Sequence, residues 1–347
     1  MAGNHECKAT TAVEQDELSI PIIDFEPFLN RSPSDKHSVA VAITNAFKTS
    51  GFLYLKNHGI PPSVVSEVFA SSARFFARPQ AQKDSLAWTT PQANRGYVVY
   101  GREKVTQATD IASIAALRNA NPDLKESMEI GRDGVDDLPN RWPDHLDEEG
   151  KDFKRVMQNF FHLGQDLHMK VMRAIALGMG LPETFFDEFT NSGDNTLRLL
   201  HYPPVSKDVF RKNPGQVRAG EHSDYGSITL LFQDSRGGLQ VRSPRGTFVD
   251  AVPIADTIVV NAGDLLARWS NDIIKSTRHR VVEPPVQEDN ESSDMYPARY
   301  SVAYFCNPNL DKFIEALPGT YGDGIGEKKY EGIHSGEYLV QRLTVTY

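Results

Sequence analysis

From Leu197 onward the chain becomes a series of short β-rich runs separated by turns: "TLRLLHYPP", "GSITLLFQD", "GLQVRSP", "TFVDAVP", "TIVVNAG", "STRHRVVEP" and "RYSVAYFCNP". The turn signals "SRGG", "SPRG" and "NAGD" fall where hairpins need them. Short strands with frequent turns restrict this half to a sandwich, barrel or jelly roll. No repeat of fixed period interrupts the pattern, and the closing "EGIHSGEYLVQRLTVTY" reads as a terminal helix.

The upstream half mixes helices and strands. "LSIPIIDFEPFL" reads as a strand. "SPSDKHSVAVAITNAFKTSGF" has a Ser/Asp start, apolar Val39, Ile43 and Phe47 at helical spacing, and Gly51 as a stop, so a helix followed by the strand "GFLYLKNHGI" is expected. Prolines open a second helix in "PPSVVSEVFASSARFFA". A long helix is predicted from about Phe153 to Met179 on a stripe of Val156, Phe160, Leu163, Leu167, Val171 and Ile175, with His162 and His168 as surface and core residues. The expected organisation is a disordered polar tail over 1–18, a helical and strand region over 19–190 packed on the core, and a β-rich core with terminal helix over 191–347. Residues 19–347 then form one integrated unit.

Composition narrows the partners. A net charge of −9 argues against a general nucleic-acid binder, which needs a basic face to displace counterions, and favours a small-molecule substrate. Only Cys7 and Cys306 are present, so no disulfide framework or Cys-x-x-Cys site arises. The N-terminus carries neither a secretory nor a transit pattern, and no apolar run approaches the roughly 20 residues that span a bilayer. A cytoplasmic protein without membrane contact is expected, as a monomer or weak homodimer.

The chemistry gathers around "GEHSDYGSITLLF". In a strand, residues i and i+2 project to one face, so His222 and Asp224 could present an imidazole and a carboxylate to one point. A second His-x-Asp, His145 and Asp147, lies among acidic residues with no β-rich run after it, and is read as solvated charge. A third ligand must come from elsewhere, and "KSTRHRVV" offers His279 at the start of a β-branched run. Two imidazoles and one carboxylate on one face leave the opposite positions open, the pattern of non-haem Fe(II) oxygenases; zinc more often takes a closed tetrahedral site.

Further along, in "ARYSVAYF", Arg299 and Ser301 share a strand face. A guanidinium fork matches a carboxylate in two parallel hydrogen bonds and a hydroxyl adds another donor, so the pair could hold the far carboxylate of a metal-chelating dicarboxylic acid. Alone, a strand arginine is more often half of a structural ion pair.

These residues stand in a chain that resembles the Fe(II)/2-oxoglutarate-dependent dioxygenases of the isopenicillin N synthase-like group. The matching segments run from "IPIIDF" through "GFLYLKNHGI", "RGYVVYG", "DLKESMEIG", "LRLLHYPP", "EHSDYGSITLL", "VVNAGDLLARWSND" and "KSTRHRV" to "RYSVAYFCNPN". The texture is similar to fungal members, including thymine 7-hydroxylase-like and secondary-metabolite tailoring enzymes. The resemblance implies a mainly β fold with flanking helices around a double-stranded β-helix core of the jelly-roll, cupin-like kind. It implies His222, Asp224 and His279 as the catalytic iron ligands, and Arg299, Ser301 and Tyr202 around the distal carboxylate of 2-oxoglutarate. Fe(II), 2-oxoglutarate and O2 are the implied cofactor and cosubstrates. The implied reaction hydroxylates a small organic substrate, or desaturates or rearranges it, with release of succinate and CO2.

Arg95, Tyr97, Tyr100, Arg102, Phe305 and Asn307 are substrate candidates, because their segments flank the active site in relatives. Leu200 and His201 stand where many relatives carry Asn-Tyr, and the acidic connection over 283–298 is longer than in most, read as a solvated hairpin end. Arg268, Lys275, Arg278, Arg280 and Arg299 cluster in sequence near the third ligand, and some of them are expected to steer the dianionic cosubstrate inward. Two rival readings remain at this stage: an oxidase of the isopenicillin N synthase kind that uses Fe(II) and O2 without 2-oxoglutarate, and a non-catalytic ligand-binding relative.

Overall fold

The computed structural model describes residues 10–30, 32–103, 123–285 and 293–346. The chain begins with a hairpin of β1 (Thr10–Gln15) and β2 (Leu18–Asp24), followed by α1 (Glu26–Asn30), α2 (Pro33–Thr49) and β3 (Phe52–Lys56). Next come α3 (Pro62–Phe76), α4 (Gln80–Asp84), β4 (Gly96–Val98), β5 (Glu126–Gly131), the long α5 (Glu148–Gly178) and α6 (Asp187–Thr190). The β-rich half holds β6 (Thr196–Tyr202), β7 (Val205–Ser206), α7 (Lys207–Lys212), β8 (Ala219–His222), β9 (Ile228–Gln233), β10 (Leu239–Arg242), β11 (Phe248–Asp250) and β12 (Thr257–Ala262). It ends with α8 (Asp264–Trp269), β13 (His279–Val281), β14 (Met295–Tyr296), β15 (Arg299–Cys306), β16 (Phe313–Ile314), β17 (Ile333–His334) and α9 (Ser335–Thr346).

Nine strands form one sheet in the order β1-β2-β3-β12-β9-β15-β6-β5-β4, and four form a second, β11-β10-β13-β8. Strands from both sides of residue 190 therefore interleave in a single sheet. The period of two along each strand sorts side chains between two apolar clusters. Leu199, Val302 and Tyr304 pack with Val39, Phe75, Phe160 and Val171 of α2, α3 and α5 on the helical face. Leu200, Tyr202 and Ala303 point the other way, onto Leu239, Val241 and Val281 of the smaller sheet. The two sheets so enclose a jelly-roll interior.

Helix α5 lies close on the large sheet because Gly164 has no side chain: a Cβ there would sit 2.6 Å from the Tyr304 ring. The Tyr304 hydroxyl completes the contact by donating to the Phe161 carbonyl at 3.0 Å.

The expected disordered tail is corrected in part. Residues 1–9 lie outside the described residues, but Thr10–Gln15 form β1, paired antiparallel with β2. Thr10, Thr11 and Val13 suit a strand, and Asp16 and Glu17 both take positive φ, the backbone of a tight two-residue hairpin turn. Thr247 and Arg245 bind those two carboxylates from β11's side, which holds the turn.

The second His-x-Asp is also more than solvated charge. The Asp147 side chain caps α5 by accepting from the Gly150 N–H at 2.7 Å, and it pairs with the buried Arg78 at 2.8 Å. Residues 286–292 of the acidic connection lie outside the described residues; at its end, β14 pairs with β7. No helix among the described residues is long and apolar enough to cross a membrane.

Candidate metal centre and adjoining cavities

His222 and His279 reach the same point because β8 and β13 are antiparallel neighbours in which these two residues are register partners. Asp224 is not on the strand face expected for it: β8 ends at His222, and Asp224 sits in the turn beyond. That turn is fixed by α8. The Asp264 N–H donates to the Asp224 carbonyl at 2.8 Å, and Gly263 is required there because a Cβ would come within 2.4 Å of the Gly226 oxygen.

Each ligand is oriented by a bond on its far side. His222 Nδ1 donates to the Gly220 carbonyl at 2.7 Å and His279 Nδ1 to the Thr277 carbonyl at 3.3 Å, which leaves both Nε2 atoms facing inward. Asp224 Oδ2 accepts from Thr229 Oγ1 at 2.5 Å and from Asn261 Nδ2 at 2.7 Å, so Oδ1 is turned toward the imidazoles. Oδ1 lies 3.8 Å from His222 Nε2 and 3.7 Å from His279 Nε2. The donor atoms of the three residues lie within 4.8 Å of one another, a spacing that fits two imidazoles and one carboxylate around one divalent cation.

Burial, with the neighbouring His279, pushes His222 down to about 4, so its imidazole is neutral and able to ligate. Burial alone would raise Asp224, but the protonated forms of His279 and His222 and the Asn261 and Thr229 donors outweigh it and hold the carboxyl below its ordinary value.

Two cavities meet at this centre and share His222, Asp224, Arg198 and Phe305. The smaller, about 70 Å³, runs between the sheets and contains Tyr202, Arg299 and Ser301. Arg299 is 1% exposed and donates to the Gly237 carbonyl at 2.8 Å, to Ser301 Oγ at 3.3 Å and to Gln233 Oε1 at 3.5 Å, with its guanidinium over the Tyr202 ring. None of these partners is a carboxylate, so the structural ion pair that was the alternative reading does not form among the described residues.

The larger cavity, about 300 Å³, also borders the metal centre and is lined in part by Leu339, Val340 and Leu343 of α9. Among the substrate candidates, Arg95, Phe305 and Asn307 line it. The other three do not. Tyr97 packs into the helical-face core and its hydroxyl bonds Glu126, because its position on β4 turns the ring away from the jelly-roll interior. Tyr100 is exposed, and Arg102 lies over the Trp88 ring outside the cavity.

Several polar residues of this wall were invisible in the sequence. Glu103 is buried and held by Lys125 and Arg198; burial opposes its charge, but those two cations bring it down to about 2. Arg198 also bonds Glu129 at 2.8 Å and lies over the Phe305 ring. Burial raises Glu129 above the ordinary carboxyl value. No motif marks these residues; they meet because β5 and β6 pair Glu129 with Arg198.

The cations that cluster in sequence near His279 disperse in the fold. Arg278 pairs with Glu221, Lys275 bonds the Thr49 carbonyl, Arg268 stacks on Tyr330 and Arg280 lies over Phe248. Of the five, only Arg299 lines the smaller cavity, because neighbours in sequence diverge once the strand and helix are placed.

Comparison with known proteins follows the same division of the chain. Residues 20–145 match the family model described as non-haem dioxygenase in morphine synthesis N-terminal, and residues 193–308 match the 2OG-Fe(II) oxygenase superfamily. The 2-oxoglutarate-Fe(II) type oxidoreductase ppzD of Metarhizium rileyi is 37% identical over 95% of this chain and 92% of its own length. The proline hydroxylase buaE of Petromyces alliaceus is 35% identical over 95% of this chain and 100% of its own. The crystal structure of the full-length thymine 7-hydroxylase of Neurospora crassa, in complex with alpha-KG and thymine, superposes with a TM-score of 0.89, at 59% identity over 97% of this chain and 100% of that one.

Proposed function

The chain belongs to the 2OG-Fe(II) oxygenase superfamily as a fungal-type dioxygenase acting on a small substrate, and we propose that its substrate is a pyrimidine nucleobase of the thymine kind, oxidised at an exocyclic carbon. The larger cavity carries this reading. Its Phe305 ring offers a flat apolar platform, Arg198 and Arg95 offer guanidinium donors, and Glu103 and the Asn307 carbonyl offer acceptors. Asn307 is fixed in the cavity wall by its Nδ2, which donates to the Asp194 carbonyl, while its buried Oδ1 has no partner among the described residues. A planar heterocycle whose edge alternates carbonyl and N–H groups matches that wall.

His222, Asp224 and His279 hold Fe(II), with Thr229 and Asn261 keeping Asp224 Oδ1 inward. Arg299 and Ser301, with Tyr202, hold the distal carboxylate of 2-oxoglutarate in the smaller cavity, where none of Arg299's hydrogen-bond partners among the described residues is a carboxylate. When bound, the metal and cosubstrate supply the oxidising power, drawn from O2 with release of succinate and CO2. The protein's own part is to orient. Phe305 and Arg198, which border both cavities, place the substrate carbon beside the metal centre, and the α9 wall excludes water from it.

The test is aerobic incubation of Fe(II)-loaded protein with 2-oxoglutarate and thymine, uracil or free proline, following succinate and product mass. Succinate release stimulated by thymine, with a product one oxygen heavier, is the expected result. Stimulation by proline alone would overturn the nucleobase assignment while leaving the enzyme class intact.

A further inference from the structure

Arg218 is the second large cation buried at the end of the jelly roll where Arg299 lies, and it is 0% exposed. Its backbone fixes it firmly: its N–H donates to the Val281 carbonyl at 2.7 Å and its carbonyl accepts from Leu124 at 3.0 Å, just ahead of β8. Its guanidinium Nη2 makes long contacts to the carbonyls of Pro203 at 3.4 Å and Pro297 at 3.5 Å. Nε and Nη1 are buried without a partner among the described residues.

Those two prolines locate the side chain. Pro203 follows Tyr202, Pro297 lies two residues before Arg299, and Tyr202 and Arg299 are register partners on β6 and β15. Arg218 therefore bridges the strand ends directly behind the pair that faces the smaller cavity. The groups that act on it are Arg299, Tyr202, Tyr100, Tyr296 and Asp234. Arg299 repels it, and Asp234 is already occupied as acceptor for the backbone N–H groups of Tyr300 and Arg236. An interior cation with no carboxylate in contact among the described residues is costly, and two of them at one end of a cavity create a positive potential that Asp234 offsets only from a distance and an incoming anion would offset further.

We propose that Arg218 is a second cation for the distal carboxylate of the cosubstrate, acting from behind Tyr202 and Arg299 without touching it, and that it sets the preference for dicarboxylic over monocarboxylic 2-oxo acids. This rests on the 2-oxoglutarate assignment of the smaller cavity. Arg299 supplies directional hydrogen bonds and Arg218 supplies field, so removing Arg218 weakens every ligand in proportion to its charge at that end.

The experiment is calorimetric binding to Mn(II)-loaded protein of 2-oxoglutarate and of 2-oxopentanoate, which keeps the 2-oxo acid head but ends in a methyl group. Arg218→Met should weaken 2-oxoglutarate roughly tenfold, as expected for loss of one charge at moderate distance, and leave 2-oxopentanoate unchanged. Arg218→Lys should recover most of the preference. If the methionine variant does not fold, Arg218→Gln keeps a donor for the proline carbonyls without the charge and carries the same comparison. Equal weakening of both acids would reduce Arg218 to a structural role, and an unchanged 2-oxoglutarate affinity would overturn the proposal outright. Wild-type protein with no preference for 2-oxoglutarate over 2-oxopentanoate would instead sink the cosubstrate assignment, and this proposal with it.

Discussion

His222 and His279 are register partners on antiparallel strands, with ring centroids 4.3 Å apart, although 56 intervening residues would separate them in an extended chain. Their approach is a property of strand pairing, and each imidazole is aimed by a backbone carbonyl within its own strand end. A metal centre built this way depends on all three side chains at once.

His279→Ala should therefore abolish both Fe(II)-dependent turnover and tight Mn(II) binding, since the remaining pair cannot complete the facial set. His145→Ala should change neither, because His145 bonds the Trp142 carbonyl in the turn ahead of α5, away from the cavities at the metal centre. Metal titration of the two variants decides it; loss of binding in the His145 variant would mean that the wrong His-x-Asp has been chosen.

Asn261→Ala removes one of the two donors that fix Asp224 Oδ2. Such supporting bonds typically contribute about 10–100-fold in metal affinity or activity, and a weakening of that size in Mn(II) affinity is expected without loss of fold. An unchanged affinity would show that Thr229 suffices.

Gly131→Ala tests the substrate cavity from behind. A Cβ at Gly131 would fall 1.8 Å from the Arg95 guanidinium carbon, so the guanidinium must leave its place in the cavity wall. The KM for the organic substrate should rise by about tenfold or more, as for loss of a good charged contact, while 2-oxoglutarate affinity stays the same. A joint change in both would mean that the two cavities are not independent at Arg95.

His168 predicts a pH dependence unrelated to catalysis. It is fully buried on α5, contacts Ser227 Oγ at 3.2 Å, and burial lowers it to about 3. Above about pH 6.5 it is neutral in both folded and unfolded chains and has no effect. Between about 6.5 and 3 the unfolded chain binds a proton that the folded one does not, so stability falls as pH falls, by about 1.4 kcal/mol per unit from this residue. Urea unfolding of His168→Gln across that window should show a slope smaller by that amount, even if the variant is less stable at neutral pH; an identical slope would mean that His168 is protonated in the fold.

What the sequence alone determined was local or periodic. Alternating apolar residues in short runs specified strands, the stripe over α5 specified its buried face but not its start, which the Asp147 cap sets at Glu148 rather than near Phe153, and His222, Asp224, His279, Arg299 and Ser301 stood out because ligand-type residues occurred at strand spacing inside β-rich segments. Only tertiary structure decided which distant groups share a space. Asn261 and Gly263 read as a hairpin turn yet clamp the ligand loop, and the arginines near His279 in sequence disperse to Glu221, Phe248 and Tyr330. Arg218 carries no motif and lies just ahead of the "GEHSDYGSITLLF" segment. The physical reason is that a strand dictates which way its own side chains point, whereas register and sheet order dictate what they meet, and those are fixed by the packing of the whole chain.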